Sequence, residues 1–560
     1  MSNVHVEESL LFILAGVGVI VAVRMIAERT GLPAAALLTI VGITYAVLPG
    51  PNVELEPELI MTYVIPPLLY SAALDASLLD IRRHIRTVVS LSVLLVLATA
   101  LLIGVGLNLW VTGATLAAGI ALGAAVAPPD PVAALAVGRR AGLPPKIITL
   151  IQGEGLLNDA TALTILTVAV AATEGDGFSF PGATWEFFVM AAGGVVAGVV
   201  VAYVVRYLRH LRHDPLTANA ISLATPLAAY VLAESVHVSG VLAVVVAGLI
   251  IGHDSSRHSV AASRLQTTAV WRLVDFLLEG LVFLLIGQQL PNVVEGLSEY
   301  DTSTVVMAVA VTVGVTLLLR PLWLILTQLL PRSLHTRLGG DPAQVVEGAE
   351  SAAGAARLER IREKALTGKE VTALSWAGTR GVISLAAIFT LPETVPQRDL
   401  LHFCAFVVVL VTLLGQGLTF APLVQWLGLR ANKADEARER NEARSASVQA
   451  ALGQLDEIQS EQHDHVEDVA IEHMRKQLEV RLERYRRRLD MLGKAESDEV
   501  PISPQYEAAL VVRRKVIEAQ REELLRWRDA GNLNDEGLRI LERELDHEER
   551  LLPERGRVRK

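Results

Sequence analysis

Residues 115–138 read TLAAGIALGAAVAPPDPVAALAVG, an apolar run long enough to cross a bilayer but interrupted at its centre by Ala127-Pro128-Pro129-Asp130-Pro131. Proline has no amide hydrogen and its ring clashes with the preceding turn, so three prolines in four residues cannot continue an α-helix. The carbonyls of Ala124, Ala125 and Ala127 lose their donors there. At bilayer depth such carbonyls are tolerated only where they line a cavity or are covered by protein. A carboxylate at the same level is costly enough to mark function. The stretch therefore predicts a broken membrane helix with Asp130 at the break.

The rest of the chain fits that setting. Of 560 residues 52% are hydrophobic and 20% charged, with a mean hydropathy of +0.42, which excludes an ordinary soluble enzyme of this length. Residues 431–560 hold 30 of the 60 acidic and 25 of the 50 basic side chains. This predicts a membrane domain over 1–430 and a charged cytoplasmic helical tail over 431–560, regulatory or oligomerising. The acidic N-terminus lacks the positive region of a cleaved signal peptide, so the first apolar run is expected to stay as a span. No long basic tract is present and no nucleic-acid partner is expected. Cys404 is the only cysteine; it excludes an intrachain disulfide and reads as a small apolar residue of a membrane helix.

Apolar runs lie near 9–28, 33–49, 58–77, 87–110, 115–138, 147–172, 185–207, 216–233, 239–252, 267–290, 303–330, 371–391 and 400–429. The chain is thus expected to be an all-α polytopic membrane protein of about 13 transmembrane helices. The eighth and ninth runs are short enough that one could be re-entrant. With the N-terminus outside, loops on the inner side carry 21 lysines and arginines and the outer loops only Arg398, which predicts an N-out, C-in topology.

Two further spans carry polar residues at mid-depth. In the sixth, Gly153-Glu154-Gly155-Leu156-Leu157-Asn158-Asp159 places Asp159 near the midpoint. Helical spacing sets Glu154, Asn158 and Thr161 on one face, while Gly155, a turn before Asp159, is expected to leave open space beside that carboxylate. In the twelfth, Ser375-Trp376-Ala377-Gly378-Thr379-Arg380-Gly381 puts an arginine between glycines. A guanidinium keeps its charge, so a carboxylate partner is expected, Glu154 or Asp130. The fifth and twelfth spans lie seven apart and run in opposite directions. Two broken helices so placed predict inverted repeats crossing at a central binding site, as in secondary transporters.

The Asp-Pro of 127–133, the Gly-Glu-Gly-Leu-Leu-Asn-Asp of 153–159, the arginine segment 376–384 and residues 283–290 resemble monovalent cation/proton antiporters of the sodium/hydrogen exchanger type. The resemblance covers most of residues 9–430. It implies a homodimer of 13-helix subunits that exchanges Na+ for H+ across the plasma membrane for pH and sodium homeostasis, with no cofactor beyond the transported ions; a potassium/proton antiporter of the same fold is the alternative. It implies that Asp159 is the ion-binding carboxylate and Asp130 the second acid. Asn158 matches the electroneutral branch, Glu154 and Arg380 a structural ion pair, and Arg320 a stabiliser of the core. Gly155 and Pro129 stand where many relatives carry other residues, often a hydroxyl, so that a water or backbone carbonyl is expected as ligand instead.

Rival functions fit less well. A channel also uses carboxylates and free carbonyls. An intramembrane aspartyl protease needs two midplane aspartates but also a Gly-x-Gly-Asp motif, which is missing. Asp275 and Glu279, a turn apart in the tenth span, read as helix-end and pairing residues. In the tail, Ile471, Met474, Leu478, Leu482, Tyr485, Leu489 and Leu492 form an apolar helical stripe that needs a partner surface, and further helices are expected near 507–529 and 535–552. Arg484, Arg486, Arg487 and Arg488 form a basic face that can touch anionic lipid, though a solvated face is the commoner explanation.

Overall fold

Helix occupies the apolar runs. The structure, a computed structural model, describes residues 3–48, 57–174 apart from six positions within 133–141, 180–211, 214–258, 261–329, 366–429, 433–460, 465–493 and 504–550 apart from 531. The basic residues expected in inner loops at 139–140 and 332–364 lie outside them. No strand occurs among the described residues. In chain order the helices are α1 (Asn3–Thr30), α2 (Ala34–Ala46), α3 (Ile60–Asp75), α4 (Ile85–Trp110), α5 (Leu116–Val126), α6 (Pro145–Glu174), α7 (Phe180–Leu211), α8 (Pro215–Ser235), α9 (Gly240–His258), α10 (Ala261–Gln288), α11 (Thr302–Leu329), α12 (Gly368–Trp376), α13 (Val382–Phe389) and α14 (Arg398–Leu427), with single turns between. Four more follow: α15 (Lys433–Ser460), α16 (His465–Gly493), α17 (Pro504–Asp529) and α18 (Asp535–Arg550). The chain divides into two compact units, Met1–Arg430 and Ala431–Lys560.

The first unit is a multi-pass membrane protein. Among its described residues α4, α7, α8, α11, α14 and most of α6 are long and apolar enough to cross a bilayer, and α2, α3, α5 and α9 contribute shorter apolar helices. The short runs at 216–233 and 239–252 become unbroken helices of 21 and 19 residues. Outward-facing side chains are apolar too: Trp185, Phe188, Val196, Tyr203 and Tyr207 on α7 are exposed. Such a surface suits lipid, not water.

The interior is built from small residues. α5 starts at an N-cap, Thr115 Oγ1 accepting the Ala118 N–H at 3.2 Å, and every residue from Ala117 to Val126 is buried. It lies against α4 so closely that a Cβ on Gly119 would stand 2.8 Å from the Gly104 Cα. At the other side, α12 opens with a capping box between Thr367 and Glu370. It ends at Trp376, and helix resumes only at Val382.

In the second unit α15 and α16 pair antiparallel. Arg475 reaches Asp456 at 2.6 Å and Gln459 at 2.7 Å, and Ile471, Leu482 and Leu492 are buried together with Val448 and Leu455. The partner surface that the α16 stripe requires is therefore α15, a helix absent from the sequence-based expectation because its apolar residues are too sparse to show a period. α17 and α18 form a second pair around Ile517, Leu524 and Leu545.

Candidate functional site

α5 and the α12–α13 pair meet at their breaks. Asp130 donates its backbone N–H to the Thr379 carbonyl (2.6 Å), and Thr379 Oγ1 donates to the Asp130 carbonyl (3.1 Å). Backbone groups that would be orphaned at this depth are thus satisfied from the opposite break. Helix resumes at Pro131, and the Val132 N–H donates to Asp130 Oδ1 at 2.8 Å, a carboxylate seated at a helix N-terminus.

The expected Glu154–Arg380 pair does not form. Arg380 Nε donates to the Val126 carbonyl (2.9 Å), one terminal nitrogen to the Ala127 carbonyl (3.2 Å) and the other to the Gly378 carbonyl; its backbone N–H donates to Thr412 Oγ1 (2.9 Å). The carbonyls freed at the C-terminal end of α5 carry the negative end of that helix, and they take the guanidinium that a carboxylate was expected to hold. Glu154 pairs with Arg320 instead. Arg320 Nη2 lies 2.8 Å from Oε2 with Nη1 on Oε1, and its Nε donates to the Leu374 carbonyl at 3.0 Å. Both partners are buried, at 1% and 3% exposure. The two arginines flank Gly378, where a Cβ would stand 2.9 Å from Arg380 Nη1 and 3.0 Å from Arg320 Cδ.

α6 passes beside the crossing. Asn158 Nδ2 donates to the Pro129 carbonyl at 3.1 Å, which fixes the amide orientation, since its oxygen could not face another acceptor. Asn158 Oδ1 is left buried without a hydrogen bond. Asp159 is 4% exposed, and among the described residues its carboxylate receives no hydrogen bond and touches no basic side chain. The space expected at Gly155 is filled: a Cβ there would come within 2.5 Å of Pro131 Cγ, so the glycine admits the half-helix that starts at the break. Thr161 bonds back to the Leu157 carbonyl at 2.9 Å.

Pro129, Asp130, Gly155, Asn158 and Arg380 are thus linked at the crossing, and Glu154 with Arg320 braces its flank. Thr379 and Thr412 were not singled out by sequence reasoning. Thr379 lies inside the quoted arginine segment and could have been found as a hydroxyl in unwound backbone. Thr412 could not, because a π-helical stretch, Val411–Gln416, turns it toward Arg380. Asp275 lies apart, accepting from Ser71 Oγ at 2.5 Å.

Interrupted helices that cross at bilayer depth, with buried carboxylates and unwound backbone at the crossing, are the architecture of a secondary transporter. Residues 15–426 match the family described as sodium/hydrogen exchanger, transmembrane. The uncharacterized Na(+)/H(+) exchanger Rv2287 of Mycobacterium tuberculosis is 32% identical over 558 residues, 97% of each chain. A sodium, potassium, lithium and rubidium/H(+) antiporter of Bacillus pumilus is 30% identical over 67% of this chain and 55% of its own. The solved structure of the sodium proton antiporter MjNhaP1 from Methanocaldococcus jannaschii shares the fold, with a TM-score of 0.56 at 18% identity over 75% of this chain and 99% of that one. The chain belongs to the sodium/hydrogen exchanger family. It is a membrane antiporter of cations and protons.

Proposed function

We propose that the chain exchanges Na+ for H+ one for one, Asp159 carrying cation and proton in alternation. The observation that carries this reading is the commitment of both buried arginines elsewhere, Arg320 to Glu154 and Arg380 to carbonyls. Among the described residues Asp159 has no protein counter-charge, and a bare carboxylate in a water-poor site is costly. A proton or a cation removes that cost, and each excludes the other. Asn158 Oδ1, buried without a hydrogen bond, is a neutral ligand for the cation. An amide does not titrate, so a cycle with one load-changing acid moves no net charge. Asp130, held by the Val132 N–H and tied to Thr379, serves as the anchor of the crossing and keeps one protonation state throughout.

In this reading the membrane domain crosses thirteen times, N-out and C-in, as the distribution of lysine and arginine supports. The working unit is a homodimer, as the family resemblance implies, and the cycle draws on ion gradients without a cofactor. Its task is pH and sodium homeostasis of the cell. Potassium is the second reading, favoured by the cation range in the name of the Bacillus pumilus relative. The test is dissipation of a preset pH gradient in proteoliposomes on adding each alkali cation. Sodium should act at the lowest concentration; a response to potassium at equal or lower concentration would move the assignment to potassium/proton exchange.

A further inference from the structure

The α15–α16 hairpin carries its charge in two halves. Antiparallel pairing is fixed by Arg475 on Asp456 and Gln459, and by the Arg444 guanidinium 6.0 Å from the Tyr485 ring centroid. Residues 481–493 therefore return to the end where α15 begins. At that end, residues 431–448 and 481–493 hold nine basic and six acidic side chains; the distal half, 449–480, holds two basic and eight acidic. Arg484, Arg486 and Arg487 are exposed, and the acid contact of Arg487 is Glu483 at 2.9 Å. Val480 and Met491, also exposed, share a stripe with Arg484 and Arg487 at i, i+4, i+7 and i+11.

Chain length limits how far the near half can stand from the bilayer. α14 ends at Leu427 and α15 starts at Lys433, a connection that spans at most about 20 Å. α15 has 28 residues, so the distal end lies about 40 Å further along the helix. Electrostatic attraction to a charged surface fades within a Debye length of about 8–10 Å. A merely solvated basic face would have no reason to gather at the tethered end of a tail that is acidic in total.

We propose that the tethered half of the hairpin, centred on Arg484, Arg486 and Arg487, binds anionic lipid headgroups of the leaflet from which α14 emerges, with Met491 entering the interface and the acidic half held away. The test uses the full-length chain in nanodiscs. Cys404 is buried, so single cysteines at the exposed positions Ser447→Cys, level with Arg484 at the edge of the near half, and Ser460→Cys, at the far end, can be labelled with a fluorophore and probed with headgroup-nitroxide lipids. In discs containing phosphatidylglycerol the 447 label should be quenched and the 460 label spared, with quenching weakened in pure phosphatidylcholine and at high salt. Each arginine near an anionic surface is worth about fivefold in the bound-to-free ratio, so combined Arg484→Gln, Arg486→Gln and Arg487→Gln should lower that ratio by about a hundredfold. Equal quenching in neutral and anionic discs, or quenching that survives the triple substitution, would overturn the proposal. So would a 447 label unquenched by lipid but close to its copy on a second chain, which would mark tail–tail association.

Discussion

Asp130, Asp159 and Arg380 were legible in the sequence because a charge inside an apolar run is conspicuous and expensive. The choice of partner was not. It depends on which helix faces which, and on carbonyls that compete with carboxylates for a guanidinium: the prolines that announced the break also freed the acceptors that hold Arg380. Breaking one side of the Glu154–Arg320 pair leaves a buried charge unmet and should cost about 3–5 kcal/mol. Arg320→Met or Glu154→Gln alone should lower the thermal midpoint in detergent, while the double replacement regains part of the loss. Glu154→Gln combined with Arg380→Met should give losses nearer to additive, and a recovery there would restore the Glu154–Arg380 pairing. Gly155→Ala should also be harmful, since the added methyl meets the Pro131 ring at 2.5 Å; near-wild-type stability and transport would contradict the close approach of α6 to the break.

At the scale of elements, one break was written in prolines and the other was not. The α12–α13 interruption had only Gly378, Gly381 and the intervening arginine to announce it, and its bounds became clear only with the capping box at Thr367 and the restart at Val382. α15 was invisible for a different reason: a long polar helix with few apolar contacts has no period to read. The crossing is held by reciprocal hydrogen bonds, so Thr379→Val should leave the part-buried Asp130 carbonyl without that donor and cost about 1 kcal/mol. Thr379→Ser should retain most of that stability in the same thermal melt. Thr367→Ala, which removes only the cap of α12, should cost about 1 kcal/mol with little change in transport.

For the whole molecule the account predicts a voltage-insensitive cycle. With the membrane potential clamped at zero or near −100 mV, one net charge per cycle would shift the equilibrium sodium gradient by about 2.3 kcal/mol. No shift is expected, and a strong one would mean that Asp130 or another acid changes protonation along with Asp159. The fold class was readable from hydropathy and charge, and Asp159 already stood without an obvious partner in the sequence; that both buried arginines are held away from it was not readable, because it is a property of several helices packed together. That property is the core of the account, and its most direct measurement is sodium-driven proton movement in liposomes reconstituted with equal amounts of wild-type chain and Asp159→Asn. The account predicts saturable movement for the wild type and none for the variant, whose thermal midpoint stays near or above the wild-type value because a costly buried charge has been removed. Proton movement by the folded variant close to the wild-type rate would contradict it.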